Sequence, residues 1–340
     1  NNELVIETFN LNEDKNYIKI KDLVFNEKFQ ISRLDEVNFD YLDDNKQKNS
    51  IRLKRNKKKY FLTGSSFNAD NLIEDLLSDD DKDTKIIDIN SDLKVDVKKI
   101  FLDSEYYLSN FKGDILIKNK EIYKADLIGS FSKNKKLKLT INRDNNNKIT
   151  TLFVDEAKPF VKRYKFIKGF DEGSLDFFSS KKSKKSVSQI KIYDFKLKEL
   201  PILTKILTLA SLQGIADILS GEGIRFTEFE MNFKNEGDLM TIEEIYAIGP
   251  AISILMEGYV EKNKLISLKG TLVPATTINN FIGSLPMLGE ILVGKKTGEG
   301  VFGVSFKIKG PPKNLKTSVN PVKTLTPRFI TRTLEKIKKN

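Results

Sequence analysis

The chain has 340 residues, with 58 Lys and Arg against 47 Asp and Glu, a formal net charge of +11. It contains no cysteine, histidine or tryptophan. Thiol and imidazole catalysis, disulfides and zinc sites built from Cys or His are therefore excluded.

The charge is unevenly placed. From residue 301 onwards there are ten basic residues and one acidic residue, Glu335, which leaves 48 basic and 46 acidic residues in the rest. A basic end of this kind suits an anionic membrane surface or a nucleic acid, or it is a solvated terminus. The sequence begins at Asn1 with no charged-then-apolar leader, and reads as the end of a longer protein. No stretch of about 18 uncharged apolar residues is present; the best candidate, 200–219, is interrupted by Lys205, Gln213 and Asp217.

In chain order, most of 1–199 reads as short strands between Asn, Asp, Lys and Gly turns. Asn68 to Leu77 reads as a short helix, closed by the acidic run Asp79-Asp80-Asp81. Strands follow around Ile115-Leu116-Ile117 and from Asp126 to Phe131. Leu137-Lys138-Leu139-Thr140-Ile141 alternates cleanly, which places Leu137, Leu139 and Ile141 on one face of a strand. Ile149 to Val154 and Ile190 to Leu197 are similar in type. Such alternation means a sheet with one apolar and one wet face. The run 179–186 (Ser-Ser-Lys-Lys-Ser-Lys-Lys-Ser) reads as a mobile basic loop or a solvated hairpin tip.

Residues 201–219 read as one helix with a narrow polar stripe, Thr204, Thr208 and Ser211, and with Gly214 as a point where it bends. Leu203, Ile206, Leu207, Leu212 and Ile215 are among its apolar residues. A helix apolar around most of its girth must be covered by a sheet or dipped in lipid. Strands are expected at 224–234, 238–248, 251–261 and 264–273. A second helical block at 276–293 carries Met287, Leu288, Ile291 and Leu292, and a strand at 300–309 follows. From Pro327 a short basic amphipathic helix is expected, with Phe329, Ile330, Leu334 and Ile337 among Arg328, Arg332, Lys336, Lys338 and Lys339. It suits a membrane interface, or docking onto the sheet by its apolar face.

One unit is repeated. Leu200-Pro201-Ile202-Leu203 and Leu285-Pro286-Met287-Leu288 each open a helical block. Each leads to Gly-Glu-Gly, at 221–223 and 298–300, and then to a strand. Proline suits the first helical turn because its missing N–H would be unpaired there. Repetition suggests extended, unit-by-unit architecture.

With those residues in view, the C-terminal half resembles the AsmA-like C-terminal region of AsmA, TamB and YhdP-type bacterial envelope proteins. The similar text runs through Leu200-Pro201-Ile202-Leu203, Leu209-Ala210-Ser211-Leu212-Gln213-Gly214, Gly223-Ile224-Arg225-Phe226 and Ala247-Ile248-Gly249-Pro250-Ala251. It continues through Gly270-Thr271-Leu272-Val273-Pro274-Ala275, Ile282-Gly283-Ser284-Leu285-Pro286, and Val319-Asn320-Pro321-Val322. It covers about 155–335 and departs at Pro327-Arg328, where the family has Pro-Gly. The resemblance implies a long, curved antiparallel β-sheet forming an apolar groove, with a few amphipathic helices near the C-terminal end. It implies a periplasmic protein, anchored in the inner membrane by an N-terminal segment outside this sequence, that moves phospholipid towards the outer membrane.

The resulting expectation is one continuous, mainly β structure: a meander over 1–199 and helix–strand repeats over 200–340. Leu137, Leu139 and Ile141 line the lipid path. The apolar helices cap or open its end, and the basic terminal helix engages anionic lipid. The partners are phospholipid, the two membrane surfaces and envelope proteins, without metal or cofactor. A non-enzymatic scaffold for outer-membrane assembly is the alternative. An enzyme would have to work through carboxylates alone, such as Glu228 and Glu230 or Glu243 and Glu244, and calcium would need the same groups. Nucleic-acid binding is disfavoured, since Phe329 is the one aromatic residue after 306.

Overall fold

The structure is a computed structural model that describes residues 3–14, 16–44, 46–70, 90–118, 121–144, 147–162, 169–198, 200–274 and 303–322. The chain divides into two compact units, one of residues 1–163 with 176–180, the other of 164–175 with 181–340.

The first unit holds β1 (Leu4–Glu13), β2 (Asn16–Phe25), β3 (Ile31–Arg33), β4 (Glu36–Leu42), β5 (Lys48–Asn56) and β6 (Lys59–Asn68). It continues with β7 (Ser91–Phe101), β8 (Tyr107–Lys118), β9 (Glu121–Ser130), β10 (Lys136–Asp144) and β11 (Asn147–Val154). Each of these strands pairs with the next in sequence, except that β2 pairs with both β3 and β4 and β4 then continues the sheet. Tight turns set this order; Lys57 in the β5–β6 turn takes a left-handed φ of 57°.

The expectation of a purely antiparallel meander fails at one place. β6 and β7 run parallel, from Lys59 opposite Asp92 to Asn68 opposite Phe101. Parallel neighbours need a crossover of a dozen or more residues. The connection over 69–90 is long enough, whereas the other links of this unit are short turns. The helix expected from Asn68 begins two residues later: Asn68 is still in the β6–β7 ladder, its side chain accepts the Asp70 N–H at 3.0 Å, and Asp70 is helical, while 71–77 lie outside the described residues.

A one-turn helix, α1 (Lys158–Val161), follows β11 and buries Pro159, Phe160 and Val161. Lys162 just beyond it reaches Asp103 at 2.8 Å. The other oxygen of Asp103 accepts the backbone N–H groups of Glu105 and Tyr106, at 2.7 and 2.8 Å. The β7–β8 turn is thereby fixed to the end of the unit's chain.

β12 (Asp171–Lys182) and β13 (Lys185–Leu197) flank a turn at Ser183 and Lys184. The basic run at 179–186 is therefore mostly strand, and only its two middle residues form the tip. The second unit continues with two helices, α2 (Pro201–Leu209) and α3 (Gln213–Ser220). Next come β14 (Ile224–Glu236), β15 (Leu239–Ile248), β16 (Ile252–Glu261), β17 (Leu265–Pro274), β18 (Gly303–Gly310) and β19 (Lys316–Val322). From β13 to β19 each strand pairs antiparallel with the next. The expected strands from 224 to 273 and at 300–309 are found within a few residues. β19 was not foreseen; its sequence offers little apolar alternation.

The single helix expected over 201–219 is two, and the break is not at Gly214. Ser211 takes a left-handed φ of 60°. Its N–H bonds to Thr208 and the Leu212 N–H bonds to Leu207, at 3.0 and 2.8 Å. That pair of bonds closes a helix in the Schellman manner, here with serine in the position glycine usually holds. The Gly221-Glu222-Gly223 hinge has a steric reason. Gly223 has φ 88°, and a Cβ there would lie 2.7 Å from the Leu197 carbonyl oxygen. The second copy of the repeat, the 276–293 block and the helix from Pro327 lie outside the described residues.

Two predictions follow from this geometry. Gly113 in β8 has φ 153°, and an added Cβ would sit 1.8 Å from the Asp126 carbonyl oxygen. Gly113→Ala should therefore cost about 2 kcal/mol or more in urea unfolding. On β4, Asn38 donates to Glu36 at 2.9 Å, and Arg52 pairs with it at 2.7 Å. The Asn38 hydrogen bond, with Arg52, holds the Glu36 carboxyl below the usual carboxylate range. A lowered folded-state value gives stability that is complete above the unfolded value of about 4.3 and is lost as pH falls through the folded value. Asn38→Ala should thus destabilise the fold more at about pH 7 than at about pH 3, read by urea unfolding at each pH.

Candidate functional site

In a paired sheet, residues opposite each other across strands share a face. Following the register across the first unit gives one uninterrupted row. It runs Phe9, Ile20, Val37, Leu53, Leu62, Val95, Gly113, Leu127, Leu139 and Leu152. No polar side chain interrupts it over ten strands. A second row beside it begins Leu11, Ile18, Phe39, Ile51, Gly64, Val97 and Phe111. Rows on the opposite face contain Arg52, Thr63, Asp96 and Lys112, or Lys54, Phe61, Lys94, Asp114 and Asp126. The two faces therefore differ in chemistry along the ladder, not only within single strands.

Leu137, Leu139 and Ile141 all lie on this apolar face, on β10. Leu137 and Ile141 are buried and Leu139 is half-buried. Their neighbours complete the patch: Gly129 and Val154 beside Leu137, Leu127 and Leu152 beside Leu139, Ala125 and Thr150 beside Ile141. Phe9, Ile20, Val37, Leu53 and Leu62 were missed in the sequence, although Tyr17 to Lys21, Glu36 to Asp40 and Ser50 to Lys54 alternate in the same way.

Burial varies along the row. Val95 and Leu127 are 4% and 7% exposed, while Phe9 at its start is 44% exposed. Ile20, Leu53, Leu62, Leu139 and Leu152 are half-buried. Among the described residues of the first unit, helix is confined to the single turn α1 and to Asp70 after β6. Tyr60 flanks the row, opposite Leu93, and burial pushes its phenol up.

The second unit also has apolar rows over its own strands, but its other face is not uniformly polar: Tyr246, Leu255 and Val273 form a buried cluster there with Ile248. Ile192, Phe229, Ala247, Ile254, Leu272 and Val304 form one row. Ile190, Met231, Ile245, Met256, Gly270, Phe306 and Val319 form the next. Here Leu272 and Val304 are fully buried. Leu203, Ile206 and Leu207 of α2 are buried, and Leu212 and Ile215 are half-buried. Leu209 and Ile218 are each 50% exposed, so the helices are covered on one side rather than all round. Met287, Leu288, Ile291, Leu292, Arg328, Phe329, Arg332, Lys336, Lys338 and Lys339 lie outside the described residues.

The carboxylate pairs occupy the polar face. Glu230 is buried against Lys191 at 3.9 Å and accepts from Asn232 at 3.0 Å. Glu243 pairs with Lys234. Among the described residues there is no group of three or more acidic side chains able to hold a metal ion. No described helix is long and apolar enough to cross a membrane. No family model, curated protein or solved structure matches the chain.

The row's uneven burial gives a stability test. Leu127→Ala should cost about 2–3 kcal/mol and Leu139→Ala about 1 kcal/mol, measured by denaturant unfolding, since a half-buried leucine loses less transfer energy and leaves no closed cavity. Equal losses would mean that Leu139 is as fully covered as Leu127.

Proposed function

We propose that the chain is part of a periplasmic bridge protein that carries phospholipid between the inner and outer membranes, with acyl chains lying on the apolar sheet face. The observation that carries this reading is the unbroken row from Phe9 to Leu152. Strands stack about 4.8 Å apart, so ten of them give an apolar track about 43 Å long. Taking a ~16-carbon chain from a bilayer into water costs about 12 kcal/mol at about 0.8 per methylene. A continuous apolar track removes most of that penalty along the path, whereas a single polar residue would restore part of it.

Two further observations support the reading. The half-buried residues leave part of the track open to a ligand. Meanwhile Val95 and Leu127 are nearly covered with little described second layer, which an inward-curving sheet accounts for by bringing neighbouring rows together. The periplasmic location, the inner-membrane anchor and the membrane role of the 327–340 segment come from the resemblance to AsmA-like proteins. The absence of His and Cys suits a function that needs no chemical step.

One observation favours the scaffold alternative for the second unit. Leu272 and Val304 are fully buried, so that stretch of its apolar row is already filled. A dry, closed sheet of that kind would organise envelope proteins rather than pass lipid.

Native mass spectrometry of the purified chain, followed by lipid extraction, separates the two. Conduction predicts phospholipid at reproducible stoichiometry, lost in Leu139→Asp while circular dichroism stays that of a folded sheet. A folded, lipid-free wild-type protein, or a folded Leu139→Asp protein with unchanged lipid, would refute it.

A further inference from the structure

The polar face of β17–β19 is basic. These three strands contain no acidic residue. Register places Lys269 directly opposite Lys307, and Lys309 directly opposite Lys316, all on this face. Like charges opposed across strands destabilise a sheet. The neighbouring strands show the ordinary solution, with Lys185 opposite Glu236 and bonded to it at 2.7 Å. On β17–β19 the one nearby acid is Glu257 of β16, which holds Lys269 at 2.9 Å. Among the described residues, Lys307, Lys309 and Lys316 have no carboxylate in ion-pair distance.

A cleft of about 630 Å³ lies along β16–β19. Lys269 and Lys307 line it, together with the Glu257 that pairs with Lys269 and with Met256, Phe306 and Val319 of the apolar row. A stripe of lysine ammonium groups suits phosphodiesters, which offer negative charge and several acceptor oxygens. The cleft is open rather than enclosed, and the basic stripe continues beyond it to Lys309 and Lys316. That extent fits a surface presenting many phosphates better than it fits one small anion.

We propose that the polar face of β17–β19 docks on an anionic phospholipid bilayer through its stripe of lysines. The inference takes lipid as the partner from the reading above, but it concerns the opposite face of the sheet from the apolar rows. Its failure is therefore separable from failure of the acyl-chain track.

The test uses flotation of the full chain with two kinds of vesicle: phosphatidylcholine alone, and phosphatidylcholine with about 30% phosphatidylglycerol, at about 0.1 M salt. The chain should float with the anionic vesicles and not with the neutral ones. The double variant Lys307→Glu, Lys316→Glu turns both like-charge pairs into opposite-charge pairs. It should therefore keep or raise the thermal midpoint while binding anionic vesicles about tenfold more weakly or worse. It should also retain any lipid that co-purifies on the apolar face. Unchanged vesicle binding by the double variant would overturn the proposal, as would equal flotation with neutral vesicles. Release from anionic vesicles by millimolar inorganic phosphate at constant ionic strength would also overturn it, in favour of a pocket for free phosphate.

Discussion

The structure depends on one constraint: a sheet whose alternating residues make one face apolar must have that face covered. In a two-layer domain the cover is a second sheet or a set of helices. Along the first unit, the described residues offer one helical turn beside ten strands that share an apolar row. The face is handled instead by the side chains themselves, each shielded by the rows on either side, and by whatever lies on top. Charge is excluded from the row from Phe9 to Leu152, while the other face carries lysine, arginine and aspartate among neutral residues such as Thr63 and Ile128. Solubility and apolar continuity are thus divided between the two faces.

Much of this was legible from the chain alone. Period-two alternation identifies the strand type, and it placed Leu137, Leu139 and Ile141 on one face correctly. It located β14 to β17 to within a few residues, because Gly237 and Asn263 mark their turns with left-handed backbone. What alternation cannot supply is register. That Leu139 stands between Leu127 and Leu152, and that this line extends back to Phe9, follows from pairing between strands, which no local pattern encodes. The parallel β6–β7 pair was hidden for the same reason: each strand reads identically in either direction. β19 was missed because Lys316 to Val322 places polar residues where alternation would call for apolar ones. The helix break at Ser211 was missed because serine seldom takes the left-handed role, and Gly214 drew attention three residues away from the actual turn.

Continuity of the rows also depends on register within strands, since a one-residue slip would turn every following side chain to the wrong face. The register between β8 and β9 shifts twice, between Ser109 and Lys112 and between Leu116 and Ile117. Ser109 faces Ser130 and Lys112 faces Ile128, so Asn110 and Phe111 together oppose Gly129. This is a β-bulge, and Asn110 supplies its left-handed residue, φ 51°, a conformation asparagine tolerates better than most side chains. Gly129 is the single residue that faces the bulge. A Cβ there would meet Phe111 at 3.1 Å and Leu108 at 3.2 Å, so the missing side chain makes room for the crowded pair. On one side of this point Gly113 meets Leu127 and on the other Gly129 meets Leu137, both on the apolar face. The bulge and its facing glycine thus let the strands twist without breaking the line of apolar residues. The Gly113–Leu127 pair lies in the regular stretch between the two irregularities, so the row itself crosses β8 and β9 unbroken and the bulge falls on the second row, at Phe111.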